Sequence, residues 1–212
     1  MAGKTMADMI DEELFPEERD RFKKQIQFFL EADNLKPVLR QTVLMDRSRQ
    51  ENSAEHSWHI ALSVLLFSEY AKDSEIDFFH VIKMLLIHDL VEIDAGDTYC
   101  YDNRGRLDQT RREKMAADRI FSLLPEDLAN SFRQLWDEFE AGKTSESKFA
   151  IALDRFQPFL LNYFSEGLVW KKNRIQSSQV AERMQPVKAG SPWLWDYIAA
   201  LIDDAVQKGF LT

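Results

Sequence analysis

Four side chains in this sequence could together hold a metal ion: His56, His88, Asp89 and Asp154. His88 and Asp89 lie in the apolar run Val81-Ile82-Lys83-Met84-Leu85-Leu86-Ile87-His88-Asp89-Leu90-Val91, which reads as a helix buried nearly all round. An imidazole beside a carboxylate in such a place is costly unless something satisfies both, and a divalent metal does so. His56 opens a second apolar run, and Asp154 ends Phe149-Ala150-Ile151-Ala152-Leu153-Asp154 inside a third. His56 stands 32 positions before His88, and Asp154 stands 65 after Asp89, so separate helices must bring the groups together. Imidazoles and carboxylates suit Mn²⁺, Co²⁺, Fe²⁺, Zn²⁺ or Mg²⁺ rather than Cu(I). On an octahedral ion, two of each leave positions open for water and substrate. The residues alone leave a second reading open, in which His88-Asp89 is a buried structural ion pair.

The elements that would position these groups are helical almost everywhere, and no alternating strand stands out. Helices are expected over Pro16–Asp33, over Ser53–Ala71 with Ser53 as N-cap, and over Glu75–Ile93 with the His-Asp pair. Further helices are expected over Asp108–Leu124, over Glu126–Ala141 after Pro125, and over Trp193–Gly209. Ser145–Trp170 reads as a long helix that Pro158 kinks or divides. Met1–Glu12 reads as a loose end, Leu35–Val43 as a short element ending near Gln50, and Thr98–Leu107 as a polar loop. The whole is an all-α chain, with no linker that separates domains.

The 212 residues, 45% hydrophobic and 30% charged, suit one globular domain with a sizeable core. A net charge of −9 lacks the basic footprint of a nucleic-acid binder, although a local cluster could still take an anionic substrate. The single cysteine, Cys100, excludes an intrachain disulfide and a cysteine zinc cluster, and fits a reducing cytosol. Met1–Leu14 lacks the apolar core of a signal peptide, and the longest apolar stretches are too short to span a bilayer. A cytoplasmic protein without nucleic-acid or membrane partners is expected.

Three blocks resemble the HD-domain metal-dependent phosphohydrolases. They are Glu51-Asn52-Ser53-Ala54-Glu55-His56-Ser57, Leu86-Ile87-His88-Asp89-Leu90-Val91-Glu92-Ile93-Asp94-Ala95-Gly96-Asp97, and Ala152-Leu153-Asp154-Arg155. The chain looks most like the bacterial 5′-deoxynucleotidase branch and its eukaryotic relatives. The resemblance implies an HD-domain helical bundle, its core about 35–170, with additional helices over about 171–212. It places His56, His88, Asp89 and Asp154 on the family's ligands for one divalent metal. Glu92 falls on the acid that orients or deprotonates the attacking water, four residues after His88 and so on the same helix face. Asp97 falls on the residue that faces the sugar, and Arg40 on the substrate-binding arginine, whose planar fork suits phosphate.

There are departures. Gln41 stands where the deoxynucleotidase pattern has an aromatic residue, which weakens the expectation of selectivity for deoxyribose. One extra residue lies between Arg40 and His56. The segment after Tyr99 carries Arg104, Arg106, Arg111, Arg112 and Lys114 beside the implied pocket. The implied activity is phosphomonoester hydrolysis, a 5′-nucleotidase releasing phosphate from (deoxy)nucleoside monophosphates. A phosphodiesterase, a hydrolase of another phosphorylated metabolite, and an inactive metal-binding sensor or scaffold are the alternatives. A homodimer is expected through Trp193, Trp195, Tyr197 and Ile198, or else these residues pack on their own domain.

Overall fold

Asp77 starts the helix that leads to His88: its carboxylate accepts the amides of Phe79 and His80 at 2.9 and 3.0 Å. Similar punctuation marks the rest of the chain. The computed structural model describes residues 19–212, so the expected loose end Met1–Glu12 lies outside the described residues, as does the start of the first helix. From there the order is α1 (Arg19–Ala32), β1 (Leu39–Val43), β2 (Gln50–Asn52), α2 (Ser53–Phe67) and α3 (Phe78–Ile87). A 3₁₀ turn over His88–Val91 leads to α4 (Glu92–Ala95), α5 (Gln109–Phe121) and α6 (Glu126–Ala141). Then come α7 (Ser145–Phe164), α8 (Leu168–Asn173), α9 (Ser177–Met184), α10 (Val187–Gly190) and α11 (Pro192–Gln207).

The architecture is the expected helical bundle, and α7 is its centre. It packs on α2, α3, α6, α10 and α11. Buried side chains from these helices interlock, among them Ile60, Val64, Met84, Leu85, Phe149, Leu153 and Ile198. No helix among the described residues is long and apolar enough to cross a membrane.

Four expectations change. The segment after Leu35 forms an antiparallel ribbon, Leu39 opposite Asn52 and Val43 opposite Gln50. Its inward residues, Thr42 and Glu51, are polar, so hydrophobic alternation could not reveal it. Asn52, not Ser53, caps α2: it accepts the Glu55 amide at 2.9 Å, and the Glu55 carboxylate reaches back to the Asn52 amide. The expected helix over Glu75–Ile93 is interrupted by the 3₁₀ turn that carries the His-Asp pair. Pro158 stays inside an unbroken α7, and the division from α8 falls at Gly167, φ +67°. In addition, α9 and α10 fill a stretch with no expected element. Of the C-terminal aromatic set, Ile198 is fully buried and Trp195 packs against the core, whereas Trp193 lies stacked on Tyr70 with ring centroids 4.5 Å apart.

Gly190 brings α10 directly against the backbone of α7. A Cβ there would lie 2.1 Å from the Lys148 carbonyl oxygen on α7, and the Gly190 carbonyl already accepts the Lys72 amide at 2.8 Å. Backbone cannot retreat as a flexible side chain can. Gly190→Ala should therefore cost about 1–3 kcal/mol, roughly 2–10 °C in Tm. Thermal unfolding of the variant checks this, and an unchanged Tm would show that α10 is free to shift.

Candidate metal centre

The elements around His88 bring the three chain-distant groups together. Ligand atoms of His56 (α2), His88 (the 3₁₀ turn) and Asp154 (α7) all lie within 4.8 Å of one another. His56 Nε2 is 3.0 Å from Asp154 Oδ1, and His88 Nε2 is 3.6 Å from the same oxygen. Asp89 joins at the edge, with Oδ1 3.0 Å from His88 Nε2 and Oδ2 3.9 Å from His56 Nε2. Its Oδ2 also accepts a hydrogen bond from Arg40 Nη1 at 2.9 Å.

Hydrogen bonding fixes the tautomer of both rings. The Leu85 carbonyl can only accept, so His88 Nδ1, 2.9 Å away, carries its proton toward it. For His56 the argument runs through Gln157. The Gln157 amide nitrogen donates to Glu51 Oε1 at 2.6 Å and lies 3.2 Å from His59 Nδ1. The amide oxygen therefore faces His56 Nδ1, at 2.9 Å, and accepts its proton. In this tautomer a neutral ring would present its Nε2 lone pair to a carboxylate, a contact made favourable only by a proton or another cation between them. His88 Nε2 is buried without a hydrogen-bond partner. Only a cation fits between such groups, and a donor set of two imidazoles and carboxylates suits a divalent metal.

The same electrostatics shift the acidities. Burial pulls the His88 imidazolium down, but Asp89 and Asp154 outweigh it and hold the group well above its usual range. Asp154, against burial, is held well below the carboxylate range by His56 and His88. Glu92 goes the other way, pushed well up by burial and by the neighbouring Asp89 charge.

The 3₁₀ turn explains that neighbourhood. Residues three apart on a 3₁₀ helix stand one above the other, so Asp89 and Glu92 share a side. Both face Arg40, whose Nη1 is 4.0 Å from Glu92 Oε1. Arg40 comes from β1, is largely buried, and also lies 3.7 Å from Asp97 and 3.7 Å from Glu51. It is neither a solvated surface charge nor a free fork: four carboxylates surround it. Asp97 returns to it because Gly96 adopts φ +72°, ψ 153°, a conformation open essentially to glycine alone. Ser53, expected as a cap, instead donates its hydroxyl to Glu92 Oε2 at 2.5 Å.

The cluster floors a cavity of about 380 Å³. Arg40, Glu92, Asp97 and Gln41 line it, with Glu113 and Glu140 from α5 and α6 and Arg155 and Arg183 from α7 and α9. Burial, then the Glu113 charge, pushes Glu140 up to about 7. Burial and the Arg183 charge draw Arg155 down to about 10. Gln157, Glu51, Ser53, Arg155 and Arg183 were not expected as site residues. Gln157 had a signal, since it lies three positions after Asp154 on the same helix and is polar in an apolar run.

Gln157→Leu should leave the fold intact but release the His56 tautomer. Metal affinity by calorimetric titration is expected to fall about 10–100-fold. Unchanged affinity would show that His56 needs no such partner.

The chain is similar to known proteins over most of its length. The HD domain family model matches residues 32–195. The chain is 31% identical over 152 residues to the 5′-deoxynucleotidase HDDC2 of Homo sapiens, covering 71% of this chain and 72% of that protein. It is 27% identical over 134 residues to a 5′-deoxynucleotidase of Pectobacterium atrosepticum, covering 60% and 65%. A crystal structure of a predicted metal-dependent phosphohydrolase from Magnetospirillum magnetotacticum superposes with a TM-score of 0.89 at 47% identity, covering 93% of this chain and 98% of that one.

Proposed function

The chain belongs to the HD domain family, and from that premise we propose that it is a metal-dependent 5′-nucleotidase releasing phosphate from (deoxy)nucleoside 5′-monophosphates. One observation carries the reading: two imidazole lone pairs and a carboxylate converge at the floor of a nucleotide-sized cavity, with a protonatable acid beside them. His56, His88 and Asp154, joined by Asp89, would hold one divalent metal. Such an ion polarises a phosphoryl oxygen and acidifies a water.

The other roles belong to the chain's own residues. Glu92 Oε2 is occupied by the Ser53 hydroxyl, which leaves Oε1 to take a proton from the attacking water. Arg40 balances the carboxylates around it and presents positive charge to the phosphoryl group as the ester breaks. Asp97 accepts a hydrogen bond from a sugar hydroxyl. Gln41, exposed on the pocket wall, can meet a ribose 2′-hydroxyl, so discrimination against ribonucleotides should be weak. The described residues act as one unit, with α8 and α9 walling part of the pocket, and the protein works in the cytoplasm.

Phosphate release from a panel of nucleoside monophosphates, with several divalent metals, tests the assignment. Activity on phosphodiesters alone would overturn it. Within that assay, Glu92→Ala should retain metal and lose turnover by about 10²–10⁴. Loss of metal in that variant would make Glu92 a support of the ligands instead.

We also propose that the expected homodimer forms on α2 and α3 rather than on the C-terminal set, in which Ile198 is buried and Trp193 is already stacked on Tyr70. These two adjoining helices expose Trp58 (62%), Leu65 (68%), Leu66 (60%) and Phe79 (67%), the kind of face an isologous contact covers. Light scattering at micromolar concentration should give a dimer mass, and Leu65→Glu a monomer. A monomeric wild type would refute it.

A further inference from the structure

Acidic residues outnumber basic ones in this chain by 36 to 27, and its arginines are mostly claimed by them. Arg21 pairs with Asp127, Arg49 with Glu55, Arg119 with Glu31 and Asp94, and Arg133 with Asp118 and Asp137. Arg40 is enclosed by carboxylates in the same way. Three arginines of the pocket wall are different. Among the described residues, no carboxylate forms an ion pair with Arg106, Arg155 or Arg183, although the charge of nearby Asp154 favours the Arg155 cation. Arg155 Nε is buried with no hydrogen-bond partner. Its Nη1 donates to the Arg183 carbonyl at 2.7 Å, which ties α9 to α7 and sets both residues in one wall.

Unpaired cations gathered in a cavity are costly to a protein that has acids to spare, unless a ligand supplies the negative charge. Guanidinium forks match phosphate oxygens in pairs. We propose that Arg155 and Arg183, with the exposed Arg106, form a subsite for a phosphate group, separate from the carboxylate-bound Arg40. This deepens the nucleotidase reading, since it names the residues that grip the anion. The phosphate could be the one cleaved or a second one on the same nucleotide.

Titration of manganese-loaded protein with inorganic phosphate tests the subsite without relying on turnover. Arg183→Gln is the informative variant, because among the described residues its guanidinium makes no hydrogen bond, whereas Arg155 also pins α9. Phosphate affinity should fall about tenfold in Arg183→Gln and further in Arg106→Gln/Arg183→Gln, with metal affinity and Tm unchanged. Equal phosphate affinity in wild type and both variants would overturn the proposal, and would do so whether or not the protein cleaves nucleotides. If it does cleave them, the source follows from KM. A rise for 5′-monophosphates and 3′,5′-bisphosphates alike assigns the subsite to the cleaved phosphate. A rise for bisphosphates alone assigns it to a second phosphate, and no rise for either rules out a part in substrate binding.

Discussion

Everything in this molecule's centre follows from two bare imidazole nitrogens aimed at one carboxylate. His56 and His88 each give their only proton to a fixed acceptor behind them, Gln157 and the Leu85 carbonyl. What faces Asp154 is therefore lone pair against lone pair, deep in the protein, where such contact is repulsive and poorly screened. The arrangement is stable only around a positive charge. A proton can serve, and the raised His88 and lowered Asp154 acidities describe that case. A divalent cation serves better, because it satisfies all the donors at once.

The surrounding charges read as a response to the same demand. Asp89, Glu92, Asp97 and Glu51 would repel one another without Arg40 among them. One guanidinium does not balance four carboxylates, and burial with the neighbouring Asp89 charge pushes the Glu92 carboxyl up. Binding of a divalent ion would shift that balance, and folding and metal uptake should be coupled for this reason. The 3₁₀ turn contributes: it stacks Asp89 and Glu92, three residues apart, more directly above one another than a regular α-helix would, on the side of Arg40.

The metal-ligating residues were legible in the sequence because buried polar groups in apolar helices are conspicuous. His56, His88, Asp89 and Asp154 stand out as candidates on that ground, while the residues alone leave a buried structural ion pair equally open and the family resemblance favours the metal. The helical architecture was legible too, since caps and stops such as Pro125 and Gly142 act locally. What escaped was set by tertiary contact. The ribbon is held by polar inward residues, Thr42 and Glu51, that carry no hydrophobic period. Pro158 is accommodated because neighbouring helices enclose α7, so a local breaker did not break. The orienting roles of Gln157 and Ser53 depend on partners 101 and 39 positions away, which no window along the chain contains. Arg183 lies in a stretch that no periodicity marked.

The tie between Arg155 and the Arg183 backbone has a consequence for how this enzyme can change. The floor of the cavity is assembled from α2, the turn after α3, and α7, whereas part of its wall is borrowed from α8 and α9, through Trp170, Arg183 and Met184. Because the borrowed wall is fastened through a main-chain carbonyl, the side chain at 183 can be exchanged without loosening the fastening. The proposed metal centre and this part of the wall thus lie on different elements and can be altered separately. If α9 does help to grip phosphate, a lineage could alter its diet of phosphorylated compounds by substitutions there while the four proposed ligands stay as they are.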